Sequence, residues 1–307
     1  MDKVDKEKID NYMYMFLEYI LMEKNYSILT MLSYYKDLKE FYSYLVKINK
    51  DEVSITKDEL KEYIRILFNK NNAKTISRKI STLKSFYKYL VKKNIVSLNI
   101  SEVLVYPKKS KTLPEFINYE DIEKLINTAE SSKYKYRDKL ILEFLYDTGI
   151  RVSELVNIKL NDINMEEREI KVFGKGSYER LVYYGDYGEE ALKNYLLNER
   201  CKLLNTKNSD YLFINKNGDR ISDRGIRLII NTTMKKSGIN KHVSPHTLRH
   251  TFASHLLSDG CDIRSVQELL GHKSLSTTEI YTHISNEKLK EVYYKNHPKS
   301  RGANKNG

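Results

Sequence analysis

The first hundred residues carry a helical pattern of apolar positions. Apolar side chains recur at steps of three and four residues, as at Phe16, Ile20, Leu38, Phe41 and Leu45. Residues 5–105 show neither the alternation of a strand nor a single glycine. This spacing brings the apolar side chains to one side of each helix, because an α-helix turns once in about 3.6 residues. The pattern predicts an all-helical first domain over residues 1–105.

The sequence indicates where the third helix of this domain begins and which sides of the fourth helix are apolar and basic. The run Thr56-Lys57-Asp58-Glu59 has the form of a capping box and predicts that the third helix begins there. The fourth helix is predicted from Lys74 to Lys93, with an apolar stripe: Ile76, Ile80, Leu83, Tyr87 and Leu90. Its basic side chains lie away from that stripe: Lys74, Arg78, Lys84, Lys88 and Lys92. A basic face is typical of a helix against DNA phosphates, so Lys74, Arg78 and Lys84 are candidate DNA contacts. A solvated charged face fits the pattern equally well.

A basic segment with two prolines follows, and it predicts the domain boundary. Pro107 and Pro114 disfavour helix in the residues before them, so residues 106–116 are expected to form an extended linker. The lysines between the prolines fit either contacts with a phosphate backbone or simple solvation.

The second domain, predicted over residues 117–284, mixes helices with a short β segment. Gly149 is expected to end an apolar helix at 136–147, so that Arg151 begins the next helix from a tight turn. Two β-rich runs between Glu169 and Tyr184 flank Gly174-Lys175-Gly176-Ser177, which predicts a hairpin with Lys175 at its tip. Further predicted features are a helix start at Asn118, a short strand at 211–214, a turn at Asn217-Gly218, a helix from Ser222 to about Lys236 and a helix at 286–296. The predicted fold class is therefore mainly α with a small β-hairpin or sheet.

The stretch from Ser244 to His283 contains the side chains with the most evident chemistry. Ser244-Pro245 is a typical helix start, which puts His246 and Arg249 one turn apart on one helix face. Gly271 is expected to end the next apolar helix, so His272 follows at a helix terminus, and Tyr281 comes nine residues later. Arginine offers a fork of donors to phosphate oxygens, and tyrosine can act as a covalent nucleophile. The set suits a phosphate under nucleophilic attack.

A metal site is the competing interpretation of this stretch. His246 and His250 are four residues apart, but a zinc protease motif requires glutamate directly after the first histidine, where this chain has Thr247. His250 and His255 are therefore expected to pack or cap within the helix. The sequence predicts no bound metal and no cofactor.

In this order and spacing, the residues resemble the active-site segment of the tyrosine recombinases, the integrase and Xer-type site-specific DNA recombinases. In that family a TGIRxSEL element, here Thr148 to Leu155, carries the first catalytic arginine and a supporting glutamate, which match Arg151 and Glu154. Lys175 matches the family's general-acid lysine on a β-hairpin. Residues 1–105 resemble the helical core-binding domain, which grips DNA opposite the catalytic domain.

The resemblance implies a transesterification without a cofactor. Tyr281 is the expected nucleophile, which becomes linked to a 3′ phosphate and releases a 5′ hydroxyl. Arg151 and Arg249 are expected to clamp the phosphate oxygens, and Lys175 to protonate the leaving oxygen. His246 and His272 would position the phosphate and assist proton transfer, and the sequence does not divide those roles between them.

Composition permits this function. The chain has 307 residues, with 53 basic and 41 acidic side chains and a net charge of +12, which agrees with a nucleic-acid partner. Cys201 and Cys261 form neither a disulfide framework nor a metal-ligand pattern, and the charged N-terminus differs from a secretory signal. The expected location is the cytoplasm, with no membrane partner.

The function expected from the resemblance is an Xer-like resolution of chromosome or plasmid dimers. The expected partners are double-stranded DNA with paired half-sites and a tetramer on that DNA, of identical subunits or with a paralogue. The tail at 285–307 is expected to be exchanged between subunits, and a tail folded on its own domain is the alternative. A recombinase of a mobile element, a type IB topoisomerase and a DNA-binding accessory protein without catalysis are the competing functions. The last two are disfavoured by the helical first domain and the complete residue set.

Overall fold

A computed structural model describes residues 3–108, 117–174, 179–271 and 285–300, with side chains in the first helix from Tyr12 onward. The chain divides into two compact units, Met1–Lys111 and Thr112–Gly307. Each unit has its own apolar core. None of the helices in the described ranges is long and apolar enough to cross a membrane.

The first unit is helical, as its apolar spacing predicts. Within residues 3–108, its α-helices are α1 (Lys3–Met22), α2 (Ile28–Lys47), α3 (Lys57–Phe68) and α4 (Ala73–Lys92). The predicted capping box is confirmed: Glu59 Oε2 accepts the Thr56 backbone N–H at 2.8 Å, and the Glu59 N–H donates to Thr56 Oγ1 at 3.3 Å. Two of the N–H groups that a helix start leaves without partners are thereby satisfied.

Helix α4 buries the stripe that the sequence predicts. Ile76, Ile80, Leu83, Tyr87 and Leu90 are each at most 2% exposed. Lys79, which the pattern did not place in the core, is also buried, and its Nζ lies 2.7 Å from Glu40 and 3.5 Å from Asp37. A buried ammonium needs such partners, because an unpaired charge in an apolar interior is strongly unfavourable.

The second unit surrounds one central helix. Its α-helices are α5 (Tyr119–Thr128), α6 (Lys135–Asp147), α7 (Val152–Leu155), α8 (Asp186–Tyr195), α9 (Cys201–Leu204), α10 (Asp223–Ser237), α11 (Pro245–Ser258), α12 (Ile263–Leu270) and α13 (Asn286–Asn296). Helix α6 has side chains buried all round, including Leu140, Ile141, Phe144 and Tyr146. A helix buried on every side belongs inside a domain, so α6 forms the middle of the core.

A three-stranded antiparallel sheet lies beside this core, in the order β1 (Ile163–Asn164), β2 (Glu169–Phe173) and β3 (Glu179–Tyr183). Strands β2 and β3 confirm the predicted β-rich runs, with Val172 opposite Arg180. Strand β1 was not predicted, and neither was the helical segment from Asp186 to Leu204. That segment runs through a π-helical stretch, Leu196–Arg200, between α8 and α9.

The predicted strand at Tyr211–Ile214 is wrong. Only single bridges occur there, Lys159 with Tyr211 and Ile214 with Arg220. The backbone changes partner along the segment: the Leu212 N–H donates to Ile158 O, whereas Phe213 O accepts from the Ile221 N–H. A strand needs a continuous ladder to one neighbour, and here the two sides bond to different loops.

Helix α13 begins at the N-cap Ser285 and packs on its own unit. Leu289 and Tyr293 are at most 9% exposed and lie in a small core with residues of β3 and α12. The Tyr293 hydroxyl donates to Asp147 Oδ1 at 2.7 Å, at the end of α6. In the single chain the tail therefore contacts its own unit, which is the alternative that the sequence left open.

Candidate active site

The start of α11 orients the histidine and arginine that the sequence analysis singled out. Ser244 Oγ accepts the Thr247 N–H at 3.2 Å, and Pro245 occupies the first turn, so the helix begins where predicted. His246 is exposed at this start. Arg249 follows one turn later and is only 7% exposed. The helix thus presents an accessible imidazole and a buried guanidinium on one side.

A tight turn between α6 and α7 positions Arg151. Gly149 has φ +58°, and a Cβ there would lie 2.4 Å from a ring carbon of Phe252. Glycine is required on both counts, since other residues rarely adopt this φ and none has room for its side chain. Arg151 is the N-cap of α7, as predicted. The turn fixes where its side chain begins.

Glu154 holds Arg151 at two points. Its Oε2 accepts the Arg151 backbone N–H at 3.0 Å, and its Oε1 accepts Nη1 of the Arg151 guanidinium at 2.8 Å. The carboxylate also accepts hydrogen bonds from both terminal nitrogens of Arg180, from Nη1 to Oε1 at 3.0 Å and from Nη2 to Oε2 at 2.9 Å. Each oxygen of Glu154 therefore accepts from two groups, and the carboxylate is 4% exposed.

Three arginines converge on the carboxyl end of α12. Arg249 Nη2 donates to Leu270 O at 2.6 Å, Arg151 Nη2 to Gly271 O at 3.4 Å, and Arg180 Nε to Leu269 O at 3.4 Å. The last carbonyls of a helix have no partners within it and carry the negative end of its dipole, so they attract cations. Arg249 Nη1 also donates to Gly149 O at 2.6 Å, which joins this end to the Arg151 turn.

The three arginines near the end of α12 make this site positively charged. Burial, and then the neighbouring charges of Arg151 and Arg180, lower the pKa of Arg249 to about 9. Burial disfavours the Glu154 carboxylate, but the hydrogen bonds and charges of Arg180 and Arg151 hold its pKa below its usual range. Three guanidinium groups and one carboxylate leave an excess of positive charge, which suits an anion such as a phosphate.

Arg180 is the residue that sequence reasoning missed. On β2 and β3, Ile170, Val172 and Val182 are buried, and alternation puts Arg180 on the same face of the sheet. Its side chain is 7% exposed. A charged residue at an inward position of a strand is uncommon unless it has a partner, and this mismatch is the signal that could have identified it.

The other candidate catalytic residues, Lys175, His272 and Tyr281, lie outside the described residues. The described flanks of Lys175 are strands β2 and β3, whose pairing continues to Phe173 and Glu179. Gly271, which directly precedes His272, has φ +64° and ends α12, as predicted.

The candidate DNA contacts lie on α4 of the first unit, and their surroundings differ. Lys74 is exposed, whereas the Arg78 guanidinium donates to Ser33 Oγ at 2.9 Å and forms an ion pair with buried Asp37. Lys84 is half-buried, with its Nζ 4.9 Å from the centre of the Tyr106 ring. These contacts orient Arg78 and Lys84 on the helix surface.

The remaining histidines of α11, His250 and His255, lie near no evident metal site in the described part of the chain. His255 Nδ1 lies 2.8 Å from the Tyr146 hydroxyl, which agrees with a packing role, and His250 is exposed. Among the described residues, His, Cys, Asp and Glu side chains form no group of three that could hold a metal ion. The absence of a cofactor stays a prediction.

Comparison with known proteins gives the family. The model of the phage integrase family matches residues 115–288, and that of the phage integrase N-terminal SAM-like domain matches residues 14–94. The chain therefore belongs to the phage integrase family. This family comprises the tyrosine recombinases, enzymes that cut and rejoin DNA, and the chain is one of them.

Curated relatives specify the branch. The chain is 42% identical to the tyrosine recombinase XerC of Staphylococcus saprophyticus over 97% of its length and 100% of that protein's. It is also 42% identical to the XerC of Oceanobacillus iheyensis, over 96% of this chain and 98% of that one. Among solved structures, XerH recombinase bound to its difH substrate covers 88% of this chain and 80% of its own, with 26% identity and a TM-score of 0.65. The chain is thus an Xer-like site-specific recombinase.

Proposed function

We propose that the chain recombines DNA through a covalent bond between Tyr281 and a 3′ phosphate. The observation that supports this most is the convergence of Arg151 and Arg249 on the end of α12. The exposed His246 lies at the start of the helix that carries Arg249. Two of the five N–H groups of Arg249 anchor it to Gly149 and Leu270, and the other three have no recorded partner among the described residues. Arg151 is likewise anchored by Glu154, with a side chain that is 38% exposed. Both can therefore donate to the oxygens of one phosphate.

In the proposed reaction the Tyr281 oxygen attacks phosphorus and the bond from phosphorus to the 5′ oxygen breaks. A histidine, His246 or His272, accepts the phenol proton, and Lys175 gives a proton to the departing oxygen. Arg151 and Arg249 stabilise the charge that builds on the other two oxygens. One ester replaces another, so the bond energy is kept for rejoining and no cofactor is consumed.

The first unit is proposed to grip DNA through the basic face of α4. Lys74 and Lys84 are ammonium groups on that face, and Arg78 is oriented there by Asp37 and Ser33. Such groups bind the phosphate backbone with little regard to sequence and make the affinity salt-dependent.

We further propose that four protomers, identical or shared with a paralogue, assemble on paired half-sites of double-stranded DNA. The socket of Leu289 and Tyr293 on α12 and β3 offers the contact, because an exchanged helix can occupy in a neighbour the place it occupies in its own chain. Truncation after Ile284 should then abolish pairing of sites while a single half-site is still bound. Normal pairing by the truncated protein would show that the tail does not link subunits.

The biological role proposed is resolution of chromosome or plasmid dimers in the cytoplasm. The likeness to XerC relatives over nearly the whole chain favours this role over that of a mobile-element integrase. Mapping the DNA bound in cells tests it: a single site on the chromosome or on a plasmid is expected, whereas sites only at the ends of a mobile element would contradict it.

Trapping the covalent complex tests the chemistry. In a nicked suicide substrate the short strand that carries the freed 5′ hydroxyl diffuses away after cleavage. The DNA cannot then be rejoined, so the wild-type protein should accumulate a covalent DNA adduct. Tyr281→Phe should bind the same DNA and form no adduct. Tyr26→Phe, at one of the other tyrosines, is the matched control and should form it normally. An adduct with Tyr281→Phe would assign the nucleophile to another residue.

A further inference from the structure

Arg180 holds the same carboxylate as Arg151. From this shared contact we propose that Arg180 is a positioning residue for cleavage. It neutralises Glu154, so that Arg151 keeps its positive charge for the phosphate. This inference rests on the proposed function, since it concerns how Arg151 is held for its contact with the phosphate.

Arg180 is placed to act through Glu154 and not on DNA. Its side chain is 7% exposed on the inner face of the sheet, while that of Arg151 is 38% exposed. All three of its guanidinium nitrogens have protein partners: two go to Glu154 and Nε goes to Leu269 O. Arg180 is therefore held by three protein contacts against Glu154 and α12, whereas Arg151 has the more exposed side chain of the two.

The charges around Glu154 give the reason for a second arginine. Arg151 and Glu154 by themselves form a neutral pair, and a neutral pair attracts a phosphate weakly. With Arg180 bound to both oxygens, the three groups carry one net positive charge. A fork-to-fork contact is the strongest that an arginine makes with a carboxylate, so Arg180 competes for the carboxylate that would otherwise draw Arg151 back.

The position of Arg180 also ties two further segments to this pair. It is the second residue of β3, the strand that follows the Lys175 segment, and it is paired with Val172 of β2. A Cβ on Gly271 would lie 2.8 Å from Arg180 Cδ, so the turn before His272 rests directly on this side chain. One side chain thus contacts the Arg151 pair and both segments that lead to Lys175 and His272.

Removing the charge of Arg180, and then that of Glu154 as well, tests the proposal. Arg180→Met removes the charge and leaves Glu154 free to neutralise Arg151, so cleavage of the suicide substrate should slow by about 100-fold, the scale of one lost transition-state donor. Adding Glu154→Gln removes the negative charge that neutralises Arg151. The double variant Arg180→Met/Glu154→Gln should therefore cleave about tenfold faster than Arg180→Met. A purely structural role predicts the opposite, because a second change in a damaged site makes it worse.

Measurements of DNA binding accompany the cleavage rates. Half-site affinity should fall only slightly, since Arg180 makes no phosphate contact of its own and the variant weakens only the contact of Arg151. A slope of log affinity against log salt that falls by more than about one phosphate contact would contradict this. If Arg180→Met does not fold, Arg180→Gln, which is neutral but keeps a donor to Glu154, is measured in the same way with the same expectation of partial rescue. Wild-type cleavage by the neutral variant, or a double variant no faster than the single one, would overturn the inference. The proposed function would stand in either case, because the wild-type adduct tests it separately.

Discussion

Replacing Arg249 with lysine separates charge from hydrogen-bond geometry. Arg249 donates from two nitrogens to Gly149 O and Leu270 O, each at 2.6 Å, and in the proposed reaction its other N–H groups donate to the phosphate. A lysine has one nitrogen at the end of a flexible chain. It can hold the two carbonyls or turn to the phosphate, but it cannot match the fork that does both.

The size of the effect follows from one lost contact. A hydrogen bond to a charged group contributes about 1.5–3 kcal/mol, which corresponds to roughly 10- to 150-fold in cleavage rate. DNA affinity should stay within about threefold, because the positive charge remains when the lysine is protonated.

The protonation of this lysine adds a second, sharper expectation. Burial and then Arg151 and Arg180 lower the pKa of Arg249 to about 9, and the same surroundings must lower the pKa of a lysine ammonium from its ordinary value of about 10.4 toward neutrality. Arg249→Lys should therefore lose more activity at pH 8.5 than at pH 6, relative to the wild type at each pH.

Single-turnover cleavage of the suicide substrate between pH 6 and 8.5 measures both effects. Arg65→Lys, at an exposed arginine of the first unit, is the control and should follow the wild type throughout. A defect in Arg249→Lys that does not change with pH would show that the surroundings do not lower the pKa of this lysine. Wild-type cleavage rates in the variant would show that the guanidinium of Arg249 is not needed to hold the phosphate.

Three further predictions concern the leaving group, the DNA grip and stability. Lys175→Ala should cleave ordinary DNA slowly and regain much of the rate on DNA with a 5′-bridging sulfur, which leaves without a proton; Lys171→Ala is the control, and the absence of rescue would move the acid role elsewhere. Lys74→Ala should lower the slope of log affinity against log salt by about 0.9, while an unchanged slope would remove it from the DNA contacts. Burial raises the pKa of Asp147 to about 7, above the unfolded value of about 3.9, so the folded state binds the extra proton and this contribution to stability falls as pH rises between those values. Asp147→Asn should flatten that fall, as measured by the free energy of unfolding at pH 5 and 7.5, and an equally steep fall in the variant would exclude Asp147 as its source.

The elements with local signals could be predicted from the sequence. Thr56, Asn118, Ser222 and Ser244 each accept an N–H from the first turn of the helix that follows. Such caps form between residues two or three positions apart, so no tertiary information is needed to identify them. The turn at Gly149 belongs to the same class.

Features that depend on partners distant in sequence could not be predicted. Residues 211–214 have the composition of a strand, but the loops that pair with them supply one bridge each. The contact of Arg180 with Glu154 spans 26 residues, and that of Arg249 with Gly149 spans 100. The motifs in the sequence identify Arg151 and Arg249 as candidates for binding the phosphate. The carbonyls at the end of α12 that hold these arginines can be identified only from the fold.

Locating the DNA adduct on the protein shows whether Tyr281 becomes joined to DNA, as the proposed reaction requires. After the suicide substrate has reacted, nuclease and trypsin treatment leaves a nucleotide on one peptide, which mass spectrometry can identify. Cleavage after Lys273 and Lys288 releases residues 274–288, in which Tyr281 is the only tyrosine. The proposed chemistry predicts the phosphotyrosyl nucleotide on this peptide, attached through a 3′ phosphate, with a free 5′ hydroxyl on the released strand. A nucleotide on any other peptide, or a 5′ phosphate linkage, would contradict it.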